Sequence, residues 1–151
     1  MRNSLLLTID VHLVPMPLWG ERLEAVYGPR AAREMAQGML AYCDGLCLHC
    51  AAPADGTDEE WDYDDLPHPQ WLDACTVPPV LSRRLSRVLP VCTVCRLARH
   101  PGMAEVTGRG AIAHERLAAL RGWDLPTTVD HIEARFAWWR RASVFRWETQ
   151  P

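Results

Sequence analysis

Cys47-Leu48-His49-Cys50 and, 41 residues further on, Cys92-Thr93-Val94-Cys95 decide how the rest of this sequence is read. Two residues between cysteines let both sulfurs reach one tetrahedral metal from a tight turn. Two such knuckles supply four soft thiolates and leave no open coordination position, which is the pattern of structural zinc held by Cys47, Cys50, Cys92 and Cys95. A thioredoxin-like redox dithiol needs only one pair, opening a helix after a strand, so the second pair argues against it. The leucines at 5–7 imitate a signal peptide, but Asp10 and His12 interrupt the run and no small-residue cleavage site follows. The expectation is a cytoplasmic chain, in which thiols stay reduced. Cys43, one helical turn before Cys47, is a rival ligand or a buried thiol, and Cys75 is left over. His49 lies inside the first knuckle, where a side chain points away from the metal more often than toward it.

Working outward, 151 residues with 48% apolar and 23% charged content fit one globular domain over 1–151. No apolar run is long enough to span a bilayer, so no membrane partner is expected. All 16 basic residues are arginine, which suggests the codon bias of a GC-rich genome. The net charge of −3 conceals a polarity: residues 1–80 hold four arginines against 13 acids, and residues 81–151 twelve against six. Either the two halves attract each other within one fold, or Arg83, Arg84, Arg87, Arg96 and Arg99 form a basic face for nucleic acid.

Hydrophobic periodicity orders the remainder. Residues 4–14 alternate, with Leu5, Leu7, Ile9, Val11 and Leu13 on one side, and predict a half-buried strand stopped by Pro15 and Pro17. A short helix over 21–27 ends at Gly28; Pro29 suits the start of the next, which puts Met35, Met39 and Tyr42 inward. Residues 51–60 read as polar turn material and 61–65 as a strand. Residues 67–79 read as irregular, and 80–89 as a strand or short helix. The second knuckle should open a helix that Pro101-Gly102 ends. Two helices follow, over 111–120 with Ile112, Leu117 and Leu120 inward, and beyond a Thr127 or Thr128 cap, with Asp130 in the first turn and Val129, Ile132, Phe136 and Trp139 as core.

The order of a strand, Pro-Leu-Trp-Gly at 17–20, a helix, a knuckle, Glu60-x-Asp62-Tyr63-Asp64, a second knuckle, Gly-Arg-Gly at 108–110, Gly-Trp at 122–123 and Trp-x-x-Arg-x-Ser at 138–143 with Trp147 is specific. It resembles bacterial HNH-endonuclease-like proteins of the ββα-metal type with a four-cysteine zinc site. The resemblance implies an α+β fold: a zinc-stapled ββα core, an N-terminal strand and helix, and two C-terminal helices. In that family a strand histidine activates water, and a second histidine directly after the last zinc cysteine binds the catalytic divalent metal. Here the first position falls on Asp58 or its neighbours Thr57 and Glu59, and the second is Arg96, which stays protonated and cannot ligate.

The function expected is therefore a zinc-structured HNH-like protein without ordinary nuclease activity, a binding or accessory module. Two alternatives stand beside it: a scaffold turned to small-molecule chemistry, and a divergent nuclease. Either would draw on His100, Asp58, Glu60 and Arg96, and the nuclease on a second divalent metal held by carboxylates and one histidine. The bland reading of the same residues is a solvated acidic loop and a histidine at a helix C-terminus. Histidines 12, 49, 68, 114 and 131 have no partner at ligand spacing in the sequence. Substrate and oligomeric state are not written in these motifs.

Overall fold

Val88, Leu89 and Val91 form the most apolar short run in the second half of the chain, and all three are buried. In the computed structural model, which describes residues 6–13, 22–62, 80–82, 84–143 and 148–150, this run is the strand around which the other elements gather. Cys75, His68, Arg83, Trp147, the segment 14–21 and the proline-rich stretch 63–79 lie outside the described residues.

The elements run α1 (Leu23–Tyr27), α2 (Pro29–Tyr42), β1 (Gly56–Asp62), β2 (Val80–Ser82), β3 (Arg84–Val91), α3 (Thr93–Arg99), α4 (Pro101–Val106), α5 (Gly110–Arg121), α6 (Leu125–Ser143) and β4 (Glu148–Gln150). The fold is mixed helix and small sheet, consistent with α+β. β1 and β3 pair antiparallel from Gly56↔Val91 to Asp62↔Arg84, with a register shift between Glu60 and Trp61. β2 and β4 form a separate parallel pair.

Several sequence expectations need correction. β1 begins at Gly56 and not after residue 60, so Thr57, Asp58, Glu59 and Glu60 are strand where turn was expected. Acids are poor strand formers, but β3 supplies the ladder and basic side chains take up the charge, so tertiary context overrides propensity. The alternating N-terminal segment buries Ile9, Val11 and Leu13 as its period predicts. It has no assigned strand pairing, however. It is an extended segment held by single bonds, Leu7 N–H to the Leu48 carbonyl (2.8 Å) and His12 N–H to the Arg99 carbonyl (2.8 Å).

The helix of the second knuckle ends before Pro101-Gly102 as expected, but a further helix follows at once. α3 stops at Arg99, and Pro101, whose missing N–H costs nothing at a first helical position, opens α4. α5 closes on left-handed Gly122 as expected, but Ile112 and Leu120 are exposed. Its buried face is Gly110, Ala113, Leu117 and Ala118. Among them Gly110 leaves room for the Glu105 side chain of α4, which an added Cβ would strike. α6 is capped by Asp124, whose Oδ1 accepts from Thr127 N–H at 2.7 Å. Thr128 is instead buried, its hydroxyl bonded to the Asp124 carbonyl, and Asp130 lies beyond the first turn. Tyr42 points outward, while Met35 and Met39 are half-buried.

The core joins Ile9, Val11, Leu89, Val91, Leu117 and Ile132 with Cys47, Cys95 and Ala98, and Phe136 and Trp139 pack against it. The cysteine knuckles are thus part of the core. Among the described residues no helix is long and apolar enough to cross a membrane.

Candidate metal centre and an adjoining ion-paired cluster

The first knuckle is a short hairpin built by local backbone geometry. After α2 the chain turns through Asp44 (φ 56°) and Gly45 (φ 70°), and Leu46 bridges Pro53. Cys47 N–H bonds the Ala52 carbonyl at 2.7 Å, and Ala51 N–H returns to the Cys47 carbonyl at 2.9 Å. The second knuckle straddles a strand end and a helix start: Cys92 is the N-cap of α3, and its Sγ accepts from Cys95 N–H at 3.4 Å.

These two devices bring the sulfurs of Cys47, Cys50, Cys92 and Cys95 within 4.8 Å of one another. Cys50 and Cys92 are separated by 3.7 Å. All four are free thiols, not disulfides. Their electrostatics show why the donor set calls for a cation. A hydrogen bond from Cys95 pulls Cys47 down to about 4. Cys95, sharing that proton and buried, is pushed far up, and burial also raises Cys50. Four like charges cannot be packed together unaided, so Cys47 is pulled down while Cys95 and Cys50 are pushed up; a bound cation removes that conflict. The four cysteines form a site able to hold a metal ion. Cys43 lies outside this set. His49 is buried and turned away, its Nδ1–H donated to the Leu7 carbonyl at 2.8 Å, and burial lowers its pKa and keeps it neutral.

A second polar cluster lies at the opposite end of α3. Cys92, Cys95 and Arg99 follow one another at helical spacing, so the helix face that offers sulfur at its start offers a guanidinium at its end. Arg99, only 2% exposed, donates Nε–H to Asp58 Oδ2 (2.8 Å) and Nη1–H to Glu60 Oε2 (3.3 Å). His100 Nε2 meets the same Asp58 oxygen at 2.7 Å. Asp58 and Glu60 alternate with Glu59 along β1 and so share one face; Glu59 on the other accepts from Leu23 N–H. Burial works against the Asp58 charge, but the bonds and charges of His100 and Arg99 win, holding its carboxyl well below the usual range.

Two of the histidines without a partner at ligand spacing in the sequence meet one in the fold. His12, drawn from the extended N-terminal segment, sets its ring edge-on to His100 with centroids 6.2 Å apart. Burial first, then Arg99 and His100, pull its pKa down to about 4. His131 meets Asp10 at 2.7 Å. No sequence signal could have paired His12 with His100, since 88 positions separate them and the contact depends on docking a segment without strand partners.

The five arginines proposed as a basic face divide differently. Arg87 pairs with Glu60 at 2.8 Å, Arg99 is buried, and Arg96 donates to the Thr57 carbonyl at 3.4 Å. Arg84 belongs to β3 opposite Asp62. Among the described residues, Arg87 and Arg99 thus join β3 and α3 to the acids of β1.

Fold and site together define a mixed α and β protein with a cluster of four cysteines able to hold a metal ion. The chain matches no protein-family model, no curated protein and no solved structure.

Proposed function

We propose that this protein is a zinc-structured, HNH-like scaffold that has lost metal-dependent nuclease chemistry and serves as a binding or accessory module. The donor set of four thiolates suits zinc, with no position left open for catalysis. The succession β1, β3, α3, with cysteine pairs before and after the strands, supports the ββα reading. Zinc bound there would hold the hairpin of the first knuckle to the start of α3, and its binding energy would become folding energy.

One observation carries the loss of nuclease chemistry. The carboxylates that would hold a catalytic cation, Asp58 and Glu60, are bridged by the buried guanidinium of Arg99. A divalent ion entering that cluster would have to displace or sit beside a permanent positive charge that cannot be titrated away. Incubation of the purified protein with supercoiled plasmid and with RNA, in magnesium, manganese or nickel, should leave both intact. Cleavage that disappears in His100→Ala would overturn the proposal. Titration with duplex DNA then tests the partner: affinity that falls steeply with salt makes nucleic acid the ligand.

A second reading is favoured by the Asp58–His100 pair with His12 beside it. A histidine oriented by a carboxylate is the arrangement of an acid–base centre, and it would turn the scaffold to small-molecule chemistry. Turnover of a metabolite pool that is abolished by both His100→Ala and Asp58→Asn would favour this reading over the first.

A further inference from the structure

Arg116 has no role in the picture so far. It projects from α5 between Ala113 and Leu117, the residues by which α5 packs down, and its Nη1 lies 3.6 Å from Cys95 Sγ and 3.9 Å from Cys92 Sγ. No ion pair joins Arg116 to a carboxylate among the described residues, whereas Arg87 and Arg99 are tied to acids and Arg121 donates to the Ile9 carbonyl at 3.0 Å. Arg116 is the arginine whose charge is directed at sulfur.

A divalent cation bound by four thiolates leaves two excess negative charges in a half-buried site, and charge left so is costly. One guanidinium removes half of that excess, and its hydrogen bonds to thiolate are of the charge-assisted kind. The geometry points to Arg116 as an outer-shell residue of the metal centre: its guanidinium lies against both sulfurs of the second knuckle, offsets part of the negative charge of the loaded site, and makes metal retention depend on the docking of α5. This rests on the reading of the four cysteines as a metal site.

The test compares zinc affinity, by competition with a chromophoric chelator, in the parent protein, Arg116→Gln and Arg116→Lys. Arg30→Gln is the control, because it removes the same charge from an exposed pair with Glu34 on α2. Loss of outer-shell partners typically weakens metal binding about 10- to 100-fold, and that is the expectation for Arg116→Gln. Arg116→Lys keeps the charge but not the planar fork and should fall between it and the parent; Arg30→Gln should match the parent. Cobalt substitution adds a readout that a merely structural role would not move, a shift of the thiolate-to-cobalt charge-transfer band in Arg116→Gln. Parent-like affinity in both Arg116 variants, or an unmoved band in whichever variant folds, overturns the assignment. A parent protein that binds neither zinc nor cobalt would instead remove the metal reading itself.

Discussion

The two ends of α3 handle buried charge in opposite ways. At the start, Cys92 and Cys95 join Cys47 and Cys50 in a set of donors that repel one another once ionised, with one arginine at the edge. At the end, Arg99 and His100 meet Asp58 and Glu60, and the cluster contains its own cation. The first arrangement lacks a cation from the chain that pairs with all its sulfurs and is able to take a metal ion; the second contains its own cation. The same seven-residue helix therefore presents two of the clustered cysteines at one end and an internal clamp on β1 at the other. The difference explains why the metal-binding potential of this chain concentrates in its cysteines.

The largest effect should come from the sulfur end. Cys95→Ser, which removes a fully buried ligand, should abolish stoichiometric metal binding and lower stability by on the order of 5 kcal/mol or more, given what structural zinc contributes to small domains. Metal analysis and chemical denaturation check this, and prolonged treatment with a strong chelator should reproduce it in the parent. Full stability after metal removal would break the contrast between the two ends.

The next effect lies in the clamp. Arg99→Met strands the shielded Asp58 and Glu60 carboxylates and should cost about 3–5 kcal/mol in urea unfolding. Adding Asp58→Asn should recover part of the loss, because the more buried of the two carboxylates is then neutral. If the double variant is no more stable than the single, the ion pair is not what holds β1 to α3.

Acid should separate the contributions further. The folded state keeps His12 neutral down to about 4, whereas the unfolded chain takes up its proton near 6.5, so stability should fall as pH drops between these values, by at most about 3 kcal/mol. His12→Asn should flatten that slope. Asp58, with its pKa depressed, acts in the same direction but lower: its contribution is intact above about 4 and fades only in stronger acid. The smallest effect is expected at the rim, where Arg87→Ala breaks a half-exposed pair with Glu60 and should cost less than about 1 kcal/mol.

Legibility in the sequence follows the range of the interactions. The helix boundaries at Pro29 and Gly122 and the burial of Ile9, Val11 and Leu13 were readable because each depends on neighbours a few residues away. The acidic strand was not, since Asp58 and Glu60 suit a strand only when β3 and Arg99 stand beside them. Nor was the buried face of α5: counting hydrophobicity selects Ile112 and Leu120, whereas close helix packing selects glycine and alanine.

Four cysteines in two pairs declare a common ligand by spacing alone, because a Cys-x-x-Cys turn presents two sulfurs whatever surrounds it. That much the chain determined locally. Which residues stand around those sulfurs, and which cation the carboxylates receive, was decided only in three dimensions. Arg116 reaches Cys95 across 21 positions, Arg99 reaches Asp58 across 41, and His12 reaches His100 across 88. Contacts at such separations leave no periodic trace in a sequence; they exist because the segments that carry them pack into one core.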